Sequence, residues 1–317
     1  LYDQWTEQVT ADAHHLKRKL EKQGLTPSTR ITFDGEYKGR PIFSPDDNSV
    51  LMAIGNGMEK PGIFRVPVKE GEKELLALSN SNSPLSMDRS GRLFYTRTAP
   101  YGLYYRFNDV FALDRPGMDP RRITVGARSW DAAISPRGDL MAMAVTDVGN
   151  SELLLADERG NVIRTLVEAS PLNQVYAPSW SPDGKTIAAV IRRGPQVDLA
   201  LIDAETGEET FVTDDVALED TPVFHPNGEY LLYRSGRSGV DNIYAYEIES
   251  GAVYQVTNVL TGAYSPAVSH DGKTLAFIKY STIGYDLHIT PLDLASSRRV
   301  NPIKESYREV RPVPEPT

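Results

Sequence analysis

The 317-residue chain sets 34 Lys+Arg against 43 Asp+Glu, a formal net charge of −9, and holds 24 Gly, 22 Pro and no Cys. Its acidic field repels phosphate backbones and anionic surfaces, which argues against nucleic acid or a membrane surface as partner. No apolar run approaches the roughly 20 residues of a membrane-crossing helix, and without cysteine there is no disulfide, thiolate metal site or cysteine nucleophile.

In chain order, the sequence opens at Leu1 without Met or a secretory pattern and reads as a mature or excised segment of something longer. Tyr2, Trp5, Val9, Ala13, Leu16 and Leu20 recur at helical spacing, and Gly24 then Pro27 supply a stop. This predicts one amphipathic helix within a leading segment 1–29, lying on the body that follows or belonging to a preceding domain. Arg30-Ile31-Thr32-Phe33 then reads as a terminal strand with no sheet before it.

From about residue 30 to 306 a single pattern repeats. A tight turn occurs at Ser44-Pro45-Asp46-Asp47, Asp88-Arg89-Ser90-Gly91, Ser135-Pro136-Arg137-Gly138, Ser181-Pro182-Asp183-Gly184, His225-Pro226-Asn227-Gly228 and Ser269-His270-Asp271-Gly272. Their last positions lie 44, 47, 46, 44 and 44 residues apart. Proline presets the turn and glycine accepts its positive φ. Four copies also carry a proline two residues before an apolar anchor: Pro41, Pro178, Pro222 and Pro266. After each turn comes an apolar strand, then an Asp- or Asn-led strand starting at Asp109, Asp198, Asn242 or Asp286, then a terminal strand ending at Thr124, Thr213 or Thr257. Four short antiparallel strands per copy, apolar on both faces, must be covered on both sides, and stacking around an axis achieves this. The expected fold is all-β, a six-bladed β-propeller preceded by the short amphipathic helix. Ring closure is open between two strands, Arg30-Ile31-Thr32-Phe33 and Arg298-Arg299-Val300. Residues 307–317, with Arg311-Pro312-Val313-Pro314-Glu315-Pro316, read as a Pro-rich linker.

The run Pro178-Ser179-Trp180-Ser181-Pro182-Asp183-Gly184-Lys185-Thr186-Ile187-Ala188, with its Asp-led strand and closing Thr213, resembles the repeat of TolB-like propellers. Leu1-Tyr2-Asp3-Gln4-Trp5 and Tyr280-Ser281-Thr282-Ile283-Gly284-Tyr285-Asp286-Leu287 resemble segments of bacterial envelope proteins that place a zinc-peptidase-like domain before such a propeller and an outer-membrane barrel after it. That resemblance implies a periplasmic or cell-envelope setting, with adjacent domains of the same chain as neighbours and any peptidase chemistry outside these residues. A cytoplasmic setting stays open.

No motif in the chain builds a catalytic constellation. Gly184-Lys185-Thr186 and Gly272-Lys273-Thr274 lack the upstream glycine and following helix of a phosphate loop, and Gly55-Asn56-Gly57 lacks the third glycine of a dinucleotide fingerprint. His14-His15 is adjacent and diverges on a helix, His225 and His270 belong to repeated turns, and His288 lies on a strand. Asp214-Asp215 and Glu219-Asp220 lack the ladder of a calcium loop and read as solvated surface. The expectation is therefore a non-enzymatic protein with no catalytic residue, metal site or cofactor.

The partner surface is expected on the face opposite the repeated turns, where the irregular loops gather. Loops leading into each blade bring Arg40, Arg128, Trp130, Asp131, Tyr176, Glu219, Asp220 and Tyr264 to a ring around the channel mouth, and the long loop of the second blade adds Tyr101, Tyr104 and Tyr105. Tyr, Trp and Arg dominate hot spots because each joins contact area to a polar end. A protein or peptide partner follows from this. The alternative role is an accessory propeller orienting substrate for an absent peptidase domain, with a carbohydrate-active channel enzyme third. Packing of Tyr104 and Tyr105 over the second blade, with Trp130 plugging the channel, is the competing placement of those residues.

Overall fold

A computed structural model describes residues 2–303 apart from 56, 58–59, 148, 171–172 and 302. The Pro-rich segment 307–317 lies outside the described residues. Six antiparallel sheets follow one another around an axis. Blade 4 is representative: Asn173–Trp180 lies innermost, followed outward by Thr186–Arg193, Gln196–Asp203 and Glu209–Phe211.

The repeated turn is formed as its sequence dictates. The amides of Asp47, Gly91, Gly138, Gly184, Gly228 and Gly272 each donate to the carbonyl three residues earlier at 2.9–3.0 Å. Gly184 sits at φ 74°, and the side chains of Ser44, Ser181 and Ser269 each donate to the turn aspartate at 2.6 Å. His225 and His270 keep turn roles and also join blades: His225 Nε2 lies 3.1 Å from Gly272 O, and His270 Nδ1 lies 2.8 Å from Asp47 Oδ1.

The core lies between blades. Each of six apolar clusters draws on two neighbours, for example Leu153 and Leu155 of blade 3 against Ile187, Ile191 and Ile202 of blade 4. Each such side chain contributes about 1.5–3 kcal/mol on burial. Trp180 Nε1 donates across that interface to Ala133 O at 2.8 Å.

A second repeated device ties the outer strand of a blade to its third. Thr124 donates to Asp109 at 3.0 Å, Thr213 to Asp198 at 3.3 Å and Thr257 to Asn242 at 3.0 Å. Each threonine oxygen also accepts the next strand amide, from Val110, Leu199 or Ile243. Thr32 makes the same pair of bonds with Asp286, at 2.8 Å, and the Leu287 amide, at 2.9 Å. This settles the closure: Thr29–Arg30 pairs with Gly284–Pro291 as the outer strand of blade 6, and Arg298–Val300 instead adds a fifth strand to blade 5. Ser28 Oγ lies 3.0 Å from His288 Nδ1 beside that seam, and burial lowers the His288 pKa to about 4.

The helix spans Tyr2–Lys22. Its C-terminal end is anchored: Leu20 is buried, and Asn258 Nδ2 donates to Leu20 O and Gly24 O at 2.9 and 2.8 Å. The rest of the apolar stripe, at Tyr2, Trp5 and Val9, stays exposed. No helix among the described residues is long and apolar enough to cross a membrane.

Candidate functional site at the channel mouth

The innermost strands of blades 4, 5 and 6 each carry a β-bulge, with register shifts between Tyr176 and Ser179, Asp220 and Val223, and Tyr264 and Ala267. Ala177, Thr221 and Ser265 sit at the bulges with φ 54°, 49° and 49°, each directly before one of the repeated prolines. A bulge re-aims the neighbouring side chain. Here it turns Tyr176, Asp220 and Tyr264 toward the axis, where they line a cavity of about 400 Å³.

Arg40 and Asp131 complete this group. Their ion pair links blade 1 to blade 3, and Asp131 Oδ2 also accepts the Ala177 amide of blade 4 at 2.9 Å. Opposite, Arg234 Nη2 donates to Asp220 Oδ2 at 2.6 Å and its guanidinium stacks 5.5 Å from the Tyr264 ring centroid. Burial raises the pKa of Asp220, partly offset by Arg234, and burial likewise raises those of Tyr176 and Tyr264. Tyr37 and Tyr264 both meet Tyr285 edge-on at 6.3 and 6.1 Å, forming an aromatic wall. Lys38 lies beneath it with its ammonium on Asp34 and on the carbonyls of Glu36 and Tyr285, which ties blade 1 to blade 6. Paired charges plus tyrosine faces give a surface suited to reversible recognition.

Five of the eleven residues expected at the site therefore converge: Arg40, Asp131, Tyr176, Asp220 and Tyr264. Glu219 does not, because successive strand residues face opposite sides. Its side chain is buried beside Arg237, 3.4 Å away, and accepts from Ser235 Oγ at 3.1 Å. Asp215, 3.0 Å from the same arginine, is buried too. The expectation of solvated surface for this acidic run is corrected at both residues: Arg237 supplies a counter-charge that lets carboxylates enter the interior.

The remaining five form a separate patch or stand apart. Leu93–Tyr101 and Tyr105–Leu113, nine residues each, make a long hairpin whose tip projects beyond blade 2. Tyr104 is 88% exposed and Tyr105 64%, so neither packs over the blade, and Trp130, at 59%, does not plug the channel. Tyr101 and Tyr105 flank Phe107 at 5.3 and 6.0 Å, and Arg128 lies over the same ring at 4.6 Å while pairing with Asp147. Sequence reasoning passed over Tyr37, Lys38, Arg234 and Tyr285. Arg234 was recoverable, since folding the hairpin about its turn pairs it with Asp220. Among the described residues no group of three or more His, Asp or Glu is arranged to hold a metal ion.

Six antiparallel sheets of four or five strands around an open axial mouth define a six-bladed β-propeller. Residues 168–316 match the PD40 family model, described as the TolB beta propeller domain. An uncharacterized protein of Agrobacterium fabrum is 27% identical over 204 residues, 62% of this chain and 68% of that protein. The Tol-Pal system protein TolB of Francisella tularensis subsp. mediasiatica is 30% identical over 108 residues, 33% of this chain and only 25% of that protein. In fold, the chain is similar to the crystal structure of TolB from Acinetobacter baumannii, with TM-score 0.57, 19% identity and coverage of 80% of this chain and 65% of that one.

Proposed function

We propose that the loop face of this propeller binds a protein or peptide segment at the channel mouth, without catalysis, as one part of a bacterial cell-envelope protein. The observation that carries this reading is the convergence of Arg40, Asp131, Tyr176, Asp220 and Tyr264 on one cavity of about 400 Å³. Such a mouth admits one or two side chains of an extended partner, with tyrosine faces for contact area and ion pairs for orientation. The aromatic tip of blade 2 extends the surface outward through Tyr101, Tyr104 and Tyr105. The likeness to Tol-Pal system TolB proteins supports a periplasmic location and a protein partner.

Selection of a random-peptide phage library on the 317-residue chain tests this. Recovered peptides should lose binding to a Tyr176→Ala/Tyr264→Ala variant whose melting temperature stays near wild type. Peptides that bind both proteins equally would place recognition elsewhere.

A further inference from the structure

The channel holds a second cavity, at its other end, whose chemistry differs from that of the mouth. It encloses about 480 Å³ on the turn face and shares only Arg40 and Asp131 with the loop-face cavity. The repeat builds its wall: the bulge prolines form an inner tier, and the turn prolines Pro45, Pro136, Pro182 and Pro226 an outer one. Proline offers no amide donor. The wall is thus a stack of apolar ring faces, backed by Phe43, Trp180 and Phe224, which suits an apolar body and not a heavily hydroxylated one.

The polar groups at this end are few and nearly all matched. Asp88 accepts from Arg92 Nε at 2.6 Å, His270 lies on Asp47, and Arg40 pairs with Asp131. Arg89 differs. It reaches from blade 2 over the opening to donate through Nη2 to Pro182 O of blade 4 at 2.8 Å, and its amide donates to Pro136 O at 3.1 Å. Both acceptors are neutral carbonyls, and Arg89 forms no ion pair among the described residues. A guanidinium with a spare edge matches a carboxylate bidentately.

We propose that the turn-face cavity is a binding site for an amphipathic monocarboxylate, its compact aromatic or branched body against the proline tiers and its carboxylate on Arg89. The orientation follows from the rim, where Arg89 offers an unmatched cation, whereas at the inner end the Arg40 guanidinium and Asp131 carboxylate already satisfy each other. The acidic net charge of the chain does not oppose this, because beyond about 8 Å physiological salt screens it.

Naphthoate and its neutral amide, naphthamide, are the probes, titrated calorimetrically into the whole 317-residue chain. Naphthoate should bind saturably at one site, with naphthamide at least about tenfold weaker, as expected for loss of a charge-assisted pair. Arg89→Gln, at an exposed position, should lower naphthoate affinity about tenfold to the level of the amide and leave naphthamide unchanged. Val223→Trp, which fills the cavity, should abolish both while the melting temperature is retained. Tyr176→Ala at the other mouth should change nothing, which keeps this test separate from peptide recognition. The proposal is overturned if naphthoate shows no saturable binding at millimolar concentration or if naphthamide binds as tightly. Unaltered affinity in Arg89→Gln, or naphthoate still bound by a folded Val223→Trp protein, overturns it equally.

Discussion

Glu219→Gln should change how stability depends on pH. Glu219 is fully buried between blades 4 and 5, facing Asp215, Arg237, Ser235 and Thr213, with Tyr233 nearby. Burial, reinforced by the Asp215 carboxylate, raises its pKa from an ordinary 4.5 to about 7. A folded-state pKa above the unfolded value means the folded protein holds the proton more tightly. The stabilisation is therefore complete below pH 4.5 and is lost as pH rises through 7. At 1.36 kcal/mol per pH unit, the window from 4.5 to about 7 corresponds to about 3 kcal/mol. Glutamine keeps the acceptor for Ser235 but carries no charge, so the variant loses this dependence. Urea unfolding of both proteins from pH 4 to pH 8.5 measures it, with the difference in midpoint converted through a common m-value. Groups shared by both proteins, such as Asp198, whose pKa burial and Asp214 raise to about 6, cancel in that difference. The wild type should lose about 3 kcal/mol relative to Glu219→Gln across the range. Parallel curves, separated by a constant within about 0.5 kcal/mol, would refute the reasoning.

Two further predictions concern the ring itself. Thr32→Val leaves Asp286 Oδ1 without its 2.8 Å donor and the Leu287 amide without its acceptor, so it should destabilise the chain by about 2 kcal/mol in urea unfolding, and a loss below about 0.5 kcal/mol would show that closure does not depend on this latch. Gly184→Val meets open space, with Pro136 Cδ 3.8 Å from an added Cβ, so its cost is conformational: holding φ near 74° should take about 1–2 kcal/mol, and an unchanged melting temperature would remove the turn from the list of φ-constrained sites.

The ring was legible because its signals are local. A Pro-Asp-Gly turn and an apolar strand can be read without knowing what they touch, and six copies repeat the same statement. Closure was legible in principle. Arg30-Ile31-Thr32 matches Arg122-Ile123-Thr124 residue for residue, and in both the arginine donates to the aspartate that leads the third strand, at 2.5 Å. Arg298-Arg299-Val300 lacks the threonine and so cannot make the latch. The site was harder because it depends on which way a side chain points. Glu219 and Asp220 are neighbours of one charge, yet strand alternation sends one into the interior and the other to the mouth. The blade 2 aromatics were read as rim residues without a length for their hairpin, and that length is what carries Tyr104 away from the axis.

Identity of copies and recognition pull in opposite directions at one position. Seven residues before the last turn residue, the six blades place Arg40, Pro84, Asp131, Ala177, Thr221 and Ser265 around the axis. The turn and the strand core keep one repeated pattern, since each must stack on its neighbour. Five of these six, all but Pro84, line the channel instead and are released from that demand. Arg40 and Asp131 use the freedom to reach each other past blade 2, and their pair lines both a tyrosine-lined mouth and a proline-lined one. An axis of near-sixfold backbone symmetry thereby acquires two chemically unlike ends, and any ligand at either meets a surface with a definite direction.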